Sequence, residues 1–310
     1  MAFYVRNKCP VCTCTSYSIF GRINELKSPV SIPTDSAIVR CSDCKLIYVN
    51  PMPYWDNDDY AKLYDETYFL HLNSEEQKEW LEIRKSVIPS RRFSRIHKYI
   101  KSDIKKLLEI GAGENAFMCR YLLSRGWNCT AQEPSQLFAE KLLDLKGLNI
   151  ETKSIKELTG EYSFIFADSV LEHVPDPITY YKKLSELLAP GGVLYTVSPN
   201  EYSMYNFLLN FIAMKKGNTP HYIAPYTQPY HLIGFTKKSL HICAKESGLR
   251  FISYKKIDDY MAFHALRSKK RAFVKYPLAL LYAFAQGIGL GTNGEAMFVK
   301  DPDYISQSRP

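Results

Sequence analysis

The segment KKLLEIGAGENAFMCRYLLSRGWNCTAQEPS, beginning at Lys105, leaves this chain few ways to fold. Leu107, Leu108 and Ile110 read as a buried strand. Gly111-Ala112-Gly113 makes a tight turn after it. Phe117, Met118, Tyr121 and Leu122 then fall at helical spacing, and Gly126 ends that helix. Asn128–Gln132 is a second strand that closes on Glu133. The unit is βαβ, which commits the chain to a parallel sheet. Glycines after the first strand let a ligand approach the backbone. An acidic residue about 20 positions further on, here Glu133, is placed for ribose hydroxyls. A dinucleotide fits this much. However, the turn G-A-G-E-N lacks the third glycine of G-x-G-x-x-G and has Ala116 in its place. Glu109, directly before the glycines, suits a ligand with an ammonium group better than a pyrophosphate, which wants bare N–H donors.

The same alternation continues downstream. Tyr162–Ala167 reads as the fourth strand, following a third that ends before Ser154. Asp176 is an N-cap with Pro177 at the first helical position. Ile178, Tyr181, Leu184, Leu187 and Leu188 carry the helix until Pro190-Gly191-Gly192 breaks it. Val193–Val197 is the fifth strand, Phe251–Tyr254 the sixth and Ala296–Val299 the seventh. Thr236 caps the helix before the sixth strand, and Gly248 stops it. Upstream, Asn73-Ser74-Glu75-Glu76 opens one helix and Arg91–Lys101 forms another. The expected fold is α/β: a seven-stranded, mostly parallel sheet with helices on both faces and the ligand at the carboxyl ends of the strands.

Cysteine usage sets the amino-terminal organisation. Five of the eight cysteines lie in the first 44 residues. Cys9 with Cys12, and Cys41 with Cys44, form C-x2-C…C-x2-C, the spacing of a four-thiolate structural zinc site. Free buried thiols and a redox pair are the other readings, and Cys14 competes with Cys12 as a ligand. Cys119, Cys129 and Cys243 sit in apolar patterns and read as core. The N-terminus MAFYVRNKCP has no apolar stretch of a signal peptide, and no segment reaches the length of a membrane span. A cytoplasmic protein with reduced thiols is expected. The formal charge of +8 permits an anionic substrate without requiring nucleic acid.

LEIGAGEN, QEPS, FIFADSVLEHVPDP and LLAPGGVLYTVSPN, in that order, resemble the motifs of class I S-adenosylmethionine-dependent methyltransferases, which have this Rossmann-like fold. CPVC…CSDCKLIYVNPMP is similar to the zinc-ribbon leader of a bacterial subset acting on sugars, surface polysaccharides and small metabolites. The resemblance implies a zinc-ribbon module over 1–53 and a helical linker or lid over 54–104. It implies a methyltransferase domain over 105–300 and a tail over 301–310. It places Glu109, Gly111, Ala112 and Gly113 at the methionine half of the cofactor. Glu133 and Pro134 fall at the ribose, Ser154 and Ile155 beside adenine, and Asp168 where the methyl group is presented. Glu151 and Glu157 flank the adenine position.

Two insertions interrupt the domain. The first, 201–230, reads as a substrate lid, with Tyr202, Tyr205, Tyr222, Tyr226 and Tyr230 as candidates to line an acceptor pocket. The second, 261–294, has the basic run Arg267-Ser268-Lys269-Lys270-Arg271 before an apolar helix. Packing on the lid or in a homodimer, peripheral contact with an anionic membrane, and a nucleic-acid patch are its three readings. PYHLIGFTKKSL resembles a segment in which sugar C-methyltransferases carry a Glu-His pair for proton transfer. His231 matches the histidine, and Tyr230 stands where the glutamate would be. His173 is the second candidate base. The expected activity is methyl transfer to a small-molecule acceptor, a sugar nucleotide or glycan precursor, by a monomer or homodimer. An RNA methyltransferase is disfavoured, because the segment after the fourth strand lacks the turn of base amino-methylating enzymes. A non-catalytic cofactor-binding module and an NAD-dependent oxidoreductase are the remaining rivals.

Overall fold

The computed structural model describes residues 2–22, 36–54, 75–215, 231–257 and 272–301. Five short strands come first: β1 (Ala2–Tyr4), β2 (Tyr17–Arg22), β3 (Ala37–Cys41), β4 (Ile47–Asn50) and β5 (Met52–Tyr54). A 22-residue helix α1 (Glu75–Ile96) follows. It starts where the sequence predicts, but it runs through Pro89 and joins the two expected helices into one, with a 3-10 turn over His97–Tyr99. The remaining elements alternate as expected. They are β6 (Lys106–Ile110), α2 (Phe117–Leu123), β7 (Asn128–Gln132), α3 (Gln136–Glu140), β8 (Leu148–Glu151) and β9 (Tyr162–Asp168), then α4 (Pro177–Leu187), β10 (Leu188–Pro199) and α5 (Met204–Lys215). After these come β11 (Ile233–Gly234), α6 (Lys237–Glu246), β12 (Arg250–Ile257), α7 (Ala272–Gly287) and β13 (Asn293–Val299).

Seven of the strands form one sheet in the order β12-β13-β10-β9-β6-β7-β8. Neighbours from β8 to β10 pair in parallel, and β13 runs antiparallel to both β10 and β12. Strand β10 begins at Leu188 rather than Val193. The helix stops at Leu187, before the expected break, and Leu188 already pairs in the sheet; Pro190-Gly191-Gly192 is absorbed as an irregularity between Leu188 and Val193.

Both faces of the sheet are covered, and side chains alternate between them with period two. Leu108, Ile110, Ile165, Ala167, Leu194 and Phe298 face one core, with Tyr181 and Leu184 of α4 and Leu240 of α6. Leu107, Phe164, Phe166, Val193 and Val299 face the other, with Met118 and Leu122 of α2 and Ile96 of α1. Local signals in the sequence hold the ends. Asp176 accepts from the Thr179 amide at 3.3 Å, and Thr236 with Ser239 forms a reciprocal cap.

The amino-terminal strands are joined to this core. Strand β4 pairs antiparallel with β11, Ile233 opposite Tyr48 and Gly234 opposite Ile47. The Val49 amide donates to the Leu232 carbonyl at 3.0 Å, and the Thr236 hydroxyl donates to the Cys44 carbonyl at 2.7 Å. Cys9, Cys44, Tyr48 and Leu232 therefore belong to the same apolar cluster as Leu108. Gly234 lets β11 lie against the domain: an ideal Cβ there would come within 2.5 Å of Glu201 Cγ and 3.3 Å of Ile47 Cβ. Gly234→Ala is expected to lower stability by about 1–3 kcal/mol, the usual effect of overpacking. Thermal unfolding measures it, and an unchanged Tm would show that β11 has room to shift.

Candidate functional site

The carboxyl ends of β6, β7, β8 and β9 meet at one edge, and a set of side chains ties them together. Gly111 and Gly113 both take positive φ, near 59° and 58°, which L-residues with a Cβ rarely adopt. The Gly113 amide donates to Glu133 Oε2 at 2.7 Å, and the Ser135 amide donates to Glu133 Oε1 at 2.9 Å. Gln132, not singled out by the sequence reading, accepts from the Gly111 amide at 3.3 Å and donates to the Lys153 carbonyl at 2.9 Å. Burial pushes the Glu133 carboxyl up, and the Ser135 and Gly113 amides oppose that rise. The space beside the turn is open: an ideal Cβ on Gly113 meets nothing within 4 Å. Ser154 caps a 3-10 turn over Ile155–Glu157, and Glu157 returns its carboxylate to the Ser154 amide at 3.0 Å. Glu157 is thus engaged at that cap, and Ile155 is buried in the core.

Glu109 departs from its expected orientation. It is buried, and its two oxygens accept from the Met118 and Cys119 amides at 3.2 and 2.7 Å. It sits behind the glycine turn, holding the start of α2, and does not offer its carboxylate to an ammonium group. The physical reason is strand alternation: Glu109 shares the Leu107 face, which α2 covers. Desolvation raises its pKa to about 7, against the pull of those amides.

Asp168, at the end of β9, receives Arg92 Nη1 of α1 at 2.5 Å. Arg92 Nε reaches Glu295 Oε1 at 3.0 Å, Arg95 Nη2 reaches Glu295 Oε2 at 2.9 Å, and the Tyr195 hydroxyl donates to Glu295. Burial works against the Arg92 charge, but Asp168 and Glu295 outweigh it and hold the guanidinium protonated. This network, which no local signal announces, ties α1 over the end of the sheet.

The loop after Asp168 lies against the glycine turn, since an ideal Cβ on Gly111 would come within 2.7 Å of Val170 Cγ2. The loop then delivers Glu172 and His173. The structure brings His173 and His231 together, with ring centroids 4.7 Å apart and planes at 74°. Glu172 joins them, so that one ligand-type atom from each of the three residues lies within 4.8 Å of the others. A carboxylate thus stands beside the two imidazoles, from position 172. The Leu232 amide donates to the Glu172 carbonyl at 2.7 Å and fixes the two segments. Glu172 and His231 are 1% and 6% exposed. Among the described residues, His231 Nδ1 and both Glu172 carboxylate oxygens have no hydrogen-bond partner. Buried polar atoms left so are costly and call for a ligand or a proton. Burial, with His173 nearby, pushes His231 well below the usual imidazole range. Burial also raises Glu172, helped by Asp168 and Glu201.

Of the candidate lid residues, Tyr202 packs near Phe20 at 5.8 Å between centroids, and Tyr205 packs on Ala279 and Tyr282. Both contacts support the insertions. Tyr222, Tyr226, Tyr230 and the basic run 267–271 lie outside the described residues. Helix α7 packs on α5, as one reading of the second insertion expects.

In the amino-terminal strands, the sulfurs of Cys9, Cys12, Cys41 and Cys44 all lie within 4.8 Å of one another. The closest pairs are Cys9–Cys44 at 3.6 Å and Cys12–Cys41 at 3.4 Å. Zn–S bonds of about 2.3 Å in a tetrahedron put sulfurs about 3.8 Å apart, so this donor set fits zinc. Cys14 is outside the cluster and donates to the Ser16 carbonyl.

Comparison with known proteins agrees with this architecture. A family profile described as a methyltransferase domain matches residues 75–254. Ubiquinone biosynthesis O-methyltransferase of Colwellia psychrerythraea is 26% identical over 35% of this chain and 46% of its own length. The tRNA U34 carboxymethyltransferase of Pseudoalteromonas atlantica is 24% identical over 40% of this chain and 38% of its own. The chain thus spans less than half the length of these curated relatives. The 1,6-didemethyltoxoflavin-N1-methyltransferase of Burkholderia thailandensis, solved with S-adenosylhomocysteine, superposes with a TM-score of 0.50 at 14% identity. That superposition covers 88% of this chain and 99% of the other.

Proposed function

This chain belongs to the methyltransferase-domain family, and on that premise we propose that it transfers a methyl group from S-adenosylmethionine to a small-molecule acceptor. The observation that carries the reading is the glycine turn and Glu133 lying beside a loop that leads straight to buried imidazoles. Gly111, Ala112 and Gly113 would hold the cofactor's methionine half and Glu133, with Pro134 behind it, the ribose. Ser154 and Ile155 would flank adenine. When bound, S-adenosylmethionine supplies a methyl group already activated on a sulfonium centre.

The chain's own work is to bind, align and move one proton. Glu133 exchanges a backbone amide for hydroxyl donors. Glu109 acts as a positioning residue, fixing α2 behind the turn. His231 takes the proton of the acceptor's nucleophile at Nδ1, the atom without a partner among the described residues. Glu172 stabilises the imidazolium that forms, against burial and the opposing influence of His173. The four-cysteine cluster holds structural zinc and, through β4 and β11, steadies His231. We read the acceptor as a sugar or surface-polysaccharide precursor, a class supported by the leader's likeness to that bacterial subset. The match to a tRNA-modifying enzyme keeps RNA as the second reading.

Glu133→Ala is expected to weaken S-adenosylmethionine binding roughly 10- to 100-fold, since hydrogen bonds to a charged group are worth about 1.5–3 kcal/mol. Calorimetry measures it, and equal affinity would remove Glu133 from the ribose site. The acceptor class is tested with cofactor carrying a trideuteromethyl group. Label in the sugar-nucleotide fraction of an extract supports the reading. Label in the tRNA fraction would replace it with the second.

A further inference from the structure

Helices α5 and α7 carry a large unburied apolar surface. Of the fifteen exposed large apolar side chains among the described residues, nine belong to these helices and the turn after α7. On α7, Phe273, Tyr276, Leu280 and Phe284 recur at three- and four-residue steps and so share one face. On α5, Phe207, Phe211 and Ile212 lie on one outer face in the same way, while Leu208 is partly exposed and also lines the cavity between the two helices. The inner faces are already satisfied. Ala279, Tyr282 and Tyr205 pack together, and Leu209 and Leu281 line a 180 Å³ cavity between the helices. The outer residues have no such role: Phe273, Leu280 and Phe207 are 72%, 71% and 69% exposed. A clustered patch of this kind marks an interaction surface.

The charge pattern selects the partner. Residues 204–230 and 261–294 contain no Asp or Glu, and seven Lys or Arg at 215, 216, 267, 269, 270, 271 and 275. With Glu201 counted, the two insertions, 201–230 and 261–294, carry six of the chain's net +8. Lys215 ends α5 and Lys275 lies in the first turns of α7. Lys216 follows α5 directly, and the other four precede α7 directly in the sequence. A two-fold interface between copies of this chain would bring two such cationic faces together. Nucleic acid would find charge there but no use for an aliphatic and phenyl ridge. No described helix is long and apolar enough to cross a membrane. We propose that α5 and α7 lie on an anionic lipid bilayer, their Phe, Leu and Ile side chains in the acyl boundary and Lys215 and Lys275 at the headgroups.

The test is flotation of the full chain with vesicles of phosphatidylcholine alone or mixed with phosphatidylglycerol. Binding is expected to the mixed vesicles at low salt, at least tenfold weaker to neutral ones, and strongly reduced in about 0.5 M salt, where the Debye length falls to a few ångströms. The triple substitution Phe273→Ser, Leu280→Ser, Phe284→Ser is expected to reduce binding at least tenfold. Its S-adenosylmethionine affinity should stay unchanged, which shows that the domain is folded and keeps this test separate from that of methyl transfer. No flotation with mixed vesicles at low salt would overturn the proposal. So would a wild-type dimer in light scattering that the triple variant turns into a monomer, because the patch would then be a subunit interface.

Discussion

Replacing His231 with Ala is expected to lower turnover about 10²- to 10⁴-fold, the usual worth of a positioned general base. Affinity for S-adenosylmethionine should stay within about a factor of two, because His231 stands beyond the loop that separates it from Glu133. His231 is held neutral by its surroundings, and its Nδ1 has no partner among the described residues. Glu172 stands close enough to stabilise the imidazolium. The same geometry fixes the pH dependence. An ordinary histidine loses its base form as pH falls through about 6.5. The His231 pKa lies below that, so the acid limb of kcat/KM should fall below pH 6.5. Below pH 6.5 the unfolded chain binds a proton that the folded chain refuses, so stability declines as pH drops. Unchanged turnover of His231→Ala on the true acceptor would remove it from the mechanism. His173→Ala then becomes the variant to measure.

Loss of the four-cysteine cluster is expected to cost more than the ribbon itself. Structural zinc sites hold roughly 10–16 kcal/mol of apparent binding energy. Losing even about 5 kcal/mol of it would lower Tm by roughly 10 °C in a domain of this size. The effect should reach His231, because β4, which follows Cys44 in the chain, pairs with β11, two residues from His231. Cys41→Ser should therefore lower both Tm and turnover, and the purified wild-type chain should carry one zinc per molecule by mass spectrometry. A metal-free wild type, with Cys41→Ser melting at the same temperature, would reduce the cluster to buried thiols.

The parts legible in the sequence are those written in local chemistry. Gly111 and Gly113, the Asp176-Pro177 cap, Thr236, and the stops at Gly126 and Gly248 act within a few residues, and each stands where its signal puts it. Glu109 was legible and misread: alternation with Leu108 and Ile110 places it on the face beneath α2. Arg92 had no local signal. Its partners Asp168 and Glu295 are 76 and 203 residues away, and only the closed fold joins them. Glu172 stood beside His173 in plain view. What the sequence could not show is that β11 returns His231 to the same place, which makes two rival bases into one cluster.

The most direct test of methyl transfer as the central activity is a calorimetric titration of the full chain with S-adenosylmethionine and, separately, with NAD. Saturable binding of one S-adenosylmethionine per chain, lost in Glu133→Ala, with no heat from NAD, is the expected result. Binding of NAD with none of S-adenosylmethionine would contradict it.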